Sequence, residues 1–129
     1  MISAKHKELF EQLYGRTKEG NIAWEETAEK GTYRASFASH SLEISREFHP
    51  GAPDDSEPTI RITVRNDTGD QIDTFTDGTV GASAFANEAA RFAFYRRCEE
   101  LFAMAERTAL GTEDALDSIL KELKDMLPF

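Results

Sequence analysis

Between Thr32 and Thr76 apolar and polar residues alternate with period two, interrupted by clusters of turn-forming residues. That pattern restricts the segment to strands with one buried and one wet face. Thr59 to Arg65 alternates most cleanly, with Ile60, Ile62 and Val64 on one side and Arg61, Thr63 and Arg65 on the other. Upstream, Tyr33, Ala35 and Phe37 oppose Arg34 and Ser36, and Leu42 and Ile44 oppose Glu43 and Ser45, with Ser39–His40–Ser41 as the intervening turn. Arg46 falls on the apolar face, which places it at a sheet margin where its stem covers apolar surface and its charge stays wet. Asn66 to Asp70 reads as a turn, and the odd spacing of Ile72 and Phe75 calls for a bulge or a change of face. Ile22 and Trp24, alternating with Ala23 and Glu25, complete an antiparallel sheet of about five strands. Pro50, Pro53 and Pro58 deny regular pairing to His49–Pro58, so 49–58 is expected to be a flexible hairpin loop within one sheet.

Helical periodicity flanks this sheet. From Ala4 to about Lys18, His6, Leu9, Phe10, Leu13 and Thr17 share one side, with Ser3 as the expected N-cap. A second helix is expected over Ala84–Ala109, where Phe85, Ala89, Phe92, Phe94, Cys98, Leu101, Phe102 and Ala105 recur. Gly111 stops it, Thr112 is the expected cap of a third helix, and Leu116, Ile119, Leu120, Leu123 and Leu127 form that helix's apolar stripe. The fold class expected is α+β: one domain over residues 1–129, with an N-terminal helix, the antiparallel sheet, and two C-terminal helices packed on it.

Charge then limits the partners. The net charge is −9, and residues 21 to 83 hold five Lys/Arg against twelve Asp/Glu. A field of that sign lacks the basic footprint from which nucleic acids and anionic lipid draw binding energy, so neither nucleic acid nor membrane is an expected partner. A single cysteine excludes an internal disulfide. The charged start, with Lys5, Lys7, Glu8 and Glu11, does not resemble a signal peptide, and the expected location is cytoplasmic.

Motifs for chemistry fail on spacing. His6, His40, His49 and Cys98 form none of the short-range pairs on which zinc sites are built, and Cys98 shares a stripe with Phe94, Leu101 and Phe102, as a buried small hydrophobe does. Read as an EF-hand from Asp73, the acidic stretch puts Phe75 at position three and Ala84 at position twelve, where oxygen ligands are required. Glu25 and Glu26 beside Trp24 are the nearest approach to a glycosidase pair, but adjacent strand residues point to opposite faces. No glycine-rich phosphate loop is present. No catalytic residue, metal ligand or cofactor is therefore assigned, and a non-enzymatic role is favoured. Phe85, Phe92, Phe94, Tyr95 and Phe102 spread over more of the long helix than one sheet contact covers, which marks them as a candidate interaction surface.

The spacing of Leu9, Thr17, Gly20, Ile22 and Trp24, followed by Gly31, Tyr33, Phe37 and Ile44, resembles that of small acidic bacterial proteins in which a helix feeds a hairpin-rich sheet. That resemblance implies no catalytic residue. Size, acidity and mixed composition also resemble type III secretion chaperones, which implies a dimeric, partner-binding protein, although in that family a helix usually interrupts the strand series. The function expected is a protein-interaction module, forming a homodimer and engaging a protein partner that the sequence does not identify. A small-ligand-binding domain or an unrecognised hydrolase is the alternative.

Overall fold

A computed structural model describes residues 4–48, 58–77 and 87–126. Helix α1 (Ala4–Lys18) leads into strands β1 (Glu25–Glu26), β2 (Thr32–Ser36), β3 (His40–Glu47), β4 (Thr59–Asn66) and β5 (Gln71–Thr76), and the chain closes with α2 (Glu88–Ala109) and α3 (Thr112–Asp125). The sheet is an antiparallel meander in the order β1-β2-β3-β4-β5, and the architecture is α+β as the periodicities imply. The expected loop at 49–58 lies outside the described residues except for Pro58, as do Ser3 and Phe85.

Register explains which face is buried. Tyr33 pairs with Ile44 and Ala35 with Leu42, while Ile44 pairs with Ile62 and Ile62 with Phe75, so one transverse row carries apolar side chains across four strands. These residues form the core together with Phe10 and Leu13 of α1 and Phe94, Cys98, Leu101, Phe102 and Ala105 of α2. Phe10 and Phe94 meet edge to face at 4.7 Å, joining the two helices above the sheet. Trp24 is buried just before β1, its indole N–H donating to Thr17 Oγ1 at 3.1 Å, so the one polar atom of a large ring is satisfied.

Several local expectations change in detail. Helix α2 is capped by Asn87, whose side chain accepts from the Ala90 N–H at 2.8 Å. Helix α3 is entered from Gly111 at φ +64°, a conformation that favours glycine; Thr112 is its first residue and not its cap. The irregularity expected near Ile72 is a register shift between Val64 and Arg65, which leaves Ile72 exposed on the outer face while Phe75 points inward. Phe37 lies past the end of β2, in the turn where its N–H donates to the His40 carbonyl, and is half exposed. Arg46 sits at the sheet margin with its guanidinium 4.4 Å from the Phe102 ring centre, and it donates to Glu99 at 2.8 Å.

The two C-terminal helices divide their labour unequally. Helix α2 covers the sheet, whereas no residue of α3 is buried. Its apolar stripe is where periodicity puts it, but the stripe is not laid on the sheet. The reason is spatial: α1 and α2 already occupy the apolar face.

Cys98 lies within the core, and burial pushes its thiol well above the ordinary cysteine range. A thiol reagent should therefore label the native protein far more slowly than the unfolded chain, and Cys98→Ser should destabilise by about 1–3 kcal/mol through burial of a hydroxyl. Rapid native labelling with no loss of stability would contradict this packing.

Candidate functional site

Among the described residues two surfaces are left uncovered. The first is the outer face of the sheet. Pairing aligns Glu25, Arg34, Glu43, Thr63 and Thr74 in one transverse row, flanked by Ser41 and Arg65 on one side and Ser45 and Arg61 on the other. Glu43 is the hub of this face: only 11% of its side chain is exposed, and it accepts from Arg34 at 2.7 Å and from Arg65 at 2.9 Å. Burial pushes the Glu43 carboxyl up, but the bonds from Arg34 and Arg65 outweigh it and hold the group below the ordinary glutamate range. Arg61 donates to Glu47 at 2.6 Å and to Thr74 Oγ1 at 3.1 Å.

A shallow depression of about 630 Å³ runs over this face, lined among others by Arg34, Ser39, His40, Ser41, Glu43 and Asp67. Serine, histidine and aspartate are thus neighbours on its rim, but among the described residues no hydrogen bond joins His40 to Ser39, Ser41 or Asp67. A relay for acyl transfer needs those bonds to set the imidazole tautomer and activate the hydroxyl. The arginines are spoken for as well, since Arg34 and Arg65 share one carboxylate. Among the described residues no three His, Cys, Asp or Glu side chains converge in a way that could hold a metal ion. Glu25 and Glu26 lie on opposite faces of β1, Glu25 registered with Arg34 and Glu26 with Tyr33.

The second surface belongs to the helical layer, and the aromatic residues singled out from the sequence distribute unevenly over it. Phe94 and Phe102 are buried, Phe102 lying 5.6 Å from the Tyr33 ring. Tyr95 is partly buried and donates to Glu99 at 2.6 Å. Only Phe92 of the described members is well exposed. The spread of aromatics around α2 is accounted for by contacts to α1, to the sheet and to Arg46 on different sides of the helix.

Helix α3 presents the larger apolar surface. Leu116, Ile119, Leu120 and Leu123 are each 48% to 54% exposed, and Met126 and Leu110 extend the patch at either end. Every residue from Glu113 to Met126 is exposed, and the helix is tied to the body at its first turn, where Arg107 donates to Glu113. An isolated helix of 14 residues is marginal in water, since nucleation costs more than so few turns return. The stripe is legible in sequence, but periodicity reports that a face is apolar and not what covers it.

No protein-family model, curated protein or solved structure matches the chain, so the assignment rests on this geometry.

Glu43 supplies an acid-sensitive contact. Because its carboxyl is held below its ordinary value, the stability it contributes is present above about pH 4.5 and is lost as pH falls through the lower, folded-state value. Glu43→Gln should cost about 1–3 kcal/mol at neutral pH, by leaving Arg34 and Arg65 without their shared acceptor, and should flatten the acid limb of the stability curve. An unchanged acid limb in urea melts between pH 3 and 6 would show that this hub does not contribute.

Proposed function

We propose that the protein is a non-enzymatic protein-interaction module of the cytoplasm that acts as a homodimer, held through the apolar stripe of α3, and that presents further surface to a protein partner. The observation that carries this reading is a complete amphipathic helix with no buried residue. Contiguous exposed apolar surface of this kind is unusual on a monomer and is ordinarily covered by a second protein surface. No helix among the described residues is long and apolar enough to cross a membrane. Lipid is a poor cover for α3, because Glu113, Asp114, Asp117, Glu122 and Asp125 outnumber Lys121 and Lys124, whereas surface-bound membrane helices are usually basic.

The small-ligand and hydrolase readings would use the depression on the outer face of the sheet. Its polar lining would suit a polar ligand. Its arginines, Arg34 and Arg65, are already bonded to Glu43, and its serine and histidine side chains are not linked, so it supports these readings less well than α3 supports association.

Light scattering over a concentration series tests the proposal. The wild-type chain of 14.5 kDa should approach about twice that mass at high micromolar concentration. The variant carrying Leu120→Glu and Leu123→Glu should remain monomeric with its thermal midpoint within a few degrees, since both side chains project into solvent in a single copy. A wild type that stays monomeric, or a dimer indifferent to both substitutions, would contradict it.

A further inference from the structure

We propose that the depression on the outer face of the sheet is a binding site for a neutral, polyhydroxylated ligand, a short oligosaccharide. It lies on the face opposite the helical layer, so it goes beyond association through α3 and does not depend on it.

The walls are fixed before any ligand arrives. Three segments surround the depression: the loop before β2 around Glu29, the β2–β3 turn around Ser39, and the β4–β5 turn around Asp67. In the first, Thr27 Oγ1 accepts from the Glu29 N–H at 3.2 Å and donates to the Thr32 carbonyl at 2.9 Å. In the third, Asn66 Oδ1 accepts from the N–H groups of Thr68 and Asp70 at 3.1 and 2.9 Å. Glu43 holds the floor between Arg34 and Arg65. A volume of about 630 Å³ is in the range of small-molecule sites, and with the walls already tied binding has little left to order.

Hydrogen-bonding capacity is left over at this end of the face. Elsewhere on it, Arg61 is bonded to Glu47 and Thr74. Around the depression, by contrast, the side chains of Glu29, Ser36, Ser39, His40, Ser41 and Asp67 make no hydrogen bond or ion pair among the described residues. Register sets Ser36 opposite Ser41 and Ser41 opposite Arg65, so hydroxyls and a guanidinium form one transverse row beside Arg34 and Glu43. The arginines retain donors as well. Arg34 reaches Glu43 through Nη2, and Arg65 uses Nε and Nη1, so Nη1 of Arg34 and Nη2 of Arg65 make no bond among the described residues.

Charge selects a neutral ligand. The lining holds two arginines against three carboxylates, and Glu43 already opposes both arginines, so a phosphate or carboxylate meets no net positive field in a chain of net charge −9. A cation fares no better. Glu29 precedes β2 and Asp67 follows β4, two strand spacings or roughly 10 Å apart across the sheet, and they do not converge on one ion. Alternating donors and acceptors without net positive charge are matched by a ligand whose groups each do both. A sugar hydroxyl donates to the Asp67 or Glu29 carboxylate, a charge-assisted bond, while its oxygen accepts from an arginine N–H or a serine hydroxyl. Phe37, half exposed in the same lining, offers aromatic surface to the C–H face of the sugar ring.

Amide NMR titration of the full-length protein tests this, with maltotriose, cellotriose and triacetylchitotriose as probes at up to about 20 mM, because an open site binds weakly. At least one sugar should shift the amides of residues 36–41 and 66–69 saturably and leave those of α1 and α2 in place. Asp67→Ala should weaken that binding at least about fivefold with the rest of the spectrum unchanged, since the carboxylate has no partner to lose. The variant carrying Leu120→Glu and Leu123→Glu should bind as the wild type does. Absence of a saturable shift with all three sugars, or shifts confined to the helices, would overturn the assignment. Inorganic phosphate or spermidine moving the same amides at lower concentration than any sugar would mark a site for a charged ligand and overturn it too. A wild type that is monomeric by light scattering yet binds a sugar at these residues would contradict the proposed homodimer and support this site.

Discussion

Five strands at the usual spacing give a sheet face roughly 20–25 Å wide, and two helices of about 10–12 Å diameter fill it. Helices α1 and α2 occupy that width, meeting through Phe10 and Phe94 over the Tyr33, Ile44, Ile62 and Phe75 row. Phe10, Ile44 and Leu101 have no exposed surface, one each from α1, the sheet and α2. The placement of α3 follows from that saturation. The chain reverses at Gly111 and builds another amphipathic helix for which the sheet has no remaining apolar face. Among the described residues no buried core residue follows Ala105, and α3 carries a further apolar stripe outside the core, which is the physical basis for reading α3 as an association element.

The second sheet face is handled differently. Where many antiparallel sheets leave a simple polar surface, this one knits arginines and carboxylates across β2, β3 and β4, with Glu43 between Arg34 and Arg65 and Glu47 beside Arg61. Exposed ion pairs of this kind contribute little each, but a shared and largely buried carboxylate is a stronger link than an isolated pair. The lattice keeps the outer face wet and in register. Its arginines are directed inward to the sheet's own carboxylates, so the depression over this face has Arg34 and Arg65 already bonded to Glu43.

The parts of the fold legible in sequence are those fixed by local periodicity. The alternation of Ile60, Ile62 and Val64 defines β4 and its buried side, and the placement of Arg46 on an apolar strand face correctly marks a margin where a guanidinium lies over an aromatic ring. Phe37 and Ile72 end up exposed because the turn after β2 and the register shift beside Val64 change what the next residue faces, and neither is encoded in alternation alone. The site was legible only in part. Leu116, Ile119, Leu120 and Leu123 announce an apolar face, but whether a face joins the core depends on how much sheet earlier helices have left uncovered. That is a property of three-dimensional area, which also explains why Phe94 and Phe102, conspicuous in sequence, are core residues.

Hydrogen exchange of the α3 amides as a function of protein concentration tests most directly whether this helix is an association element. In a single copy the helix is exposed on all sides after its first turn, so its amides should open by local fraying and exchange fast at low concentration. At high micromolar concentration the amides of residues 116–125 should become protected while those of β3 and β4 stay unchanged, because only α3 gains a cover. Exchange from α3 that is equally fast at every concentration would show that its stripe remains open to water and would contradict the account.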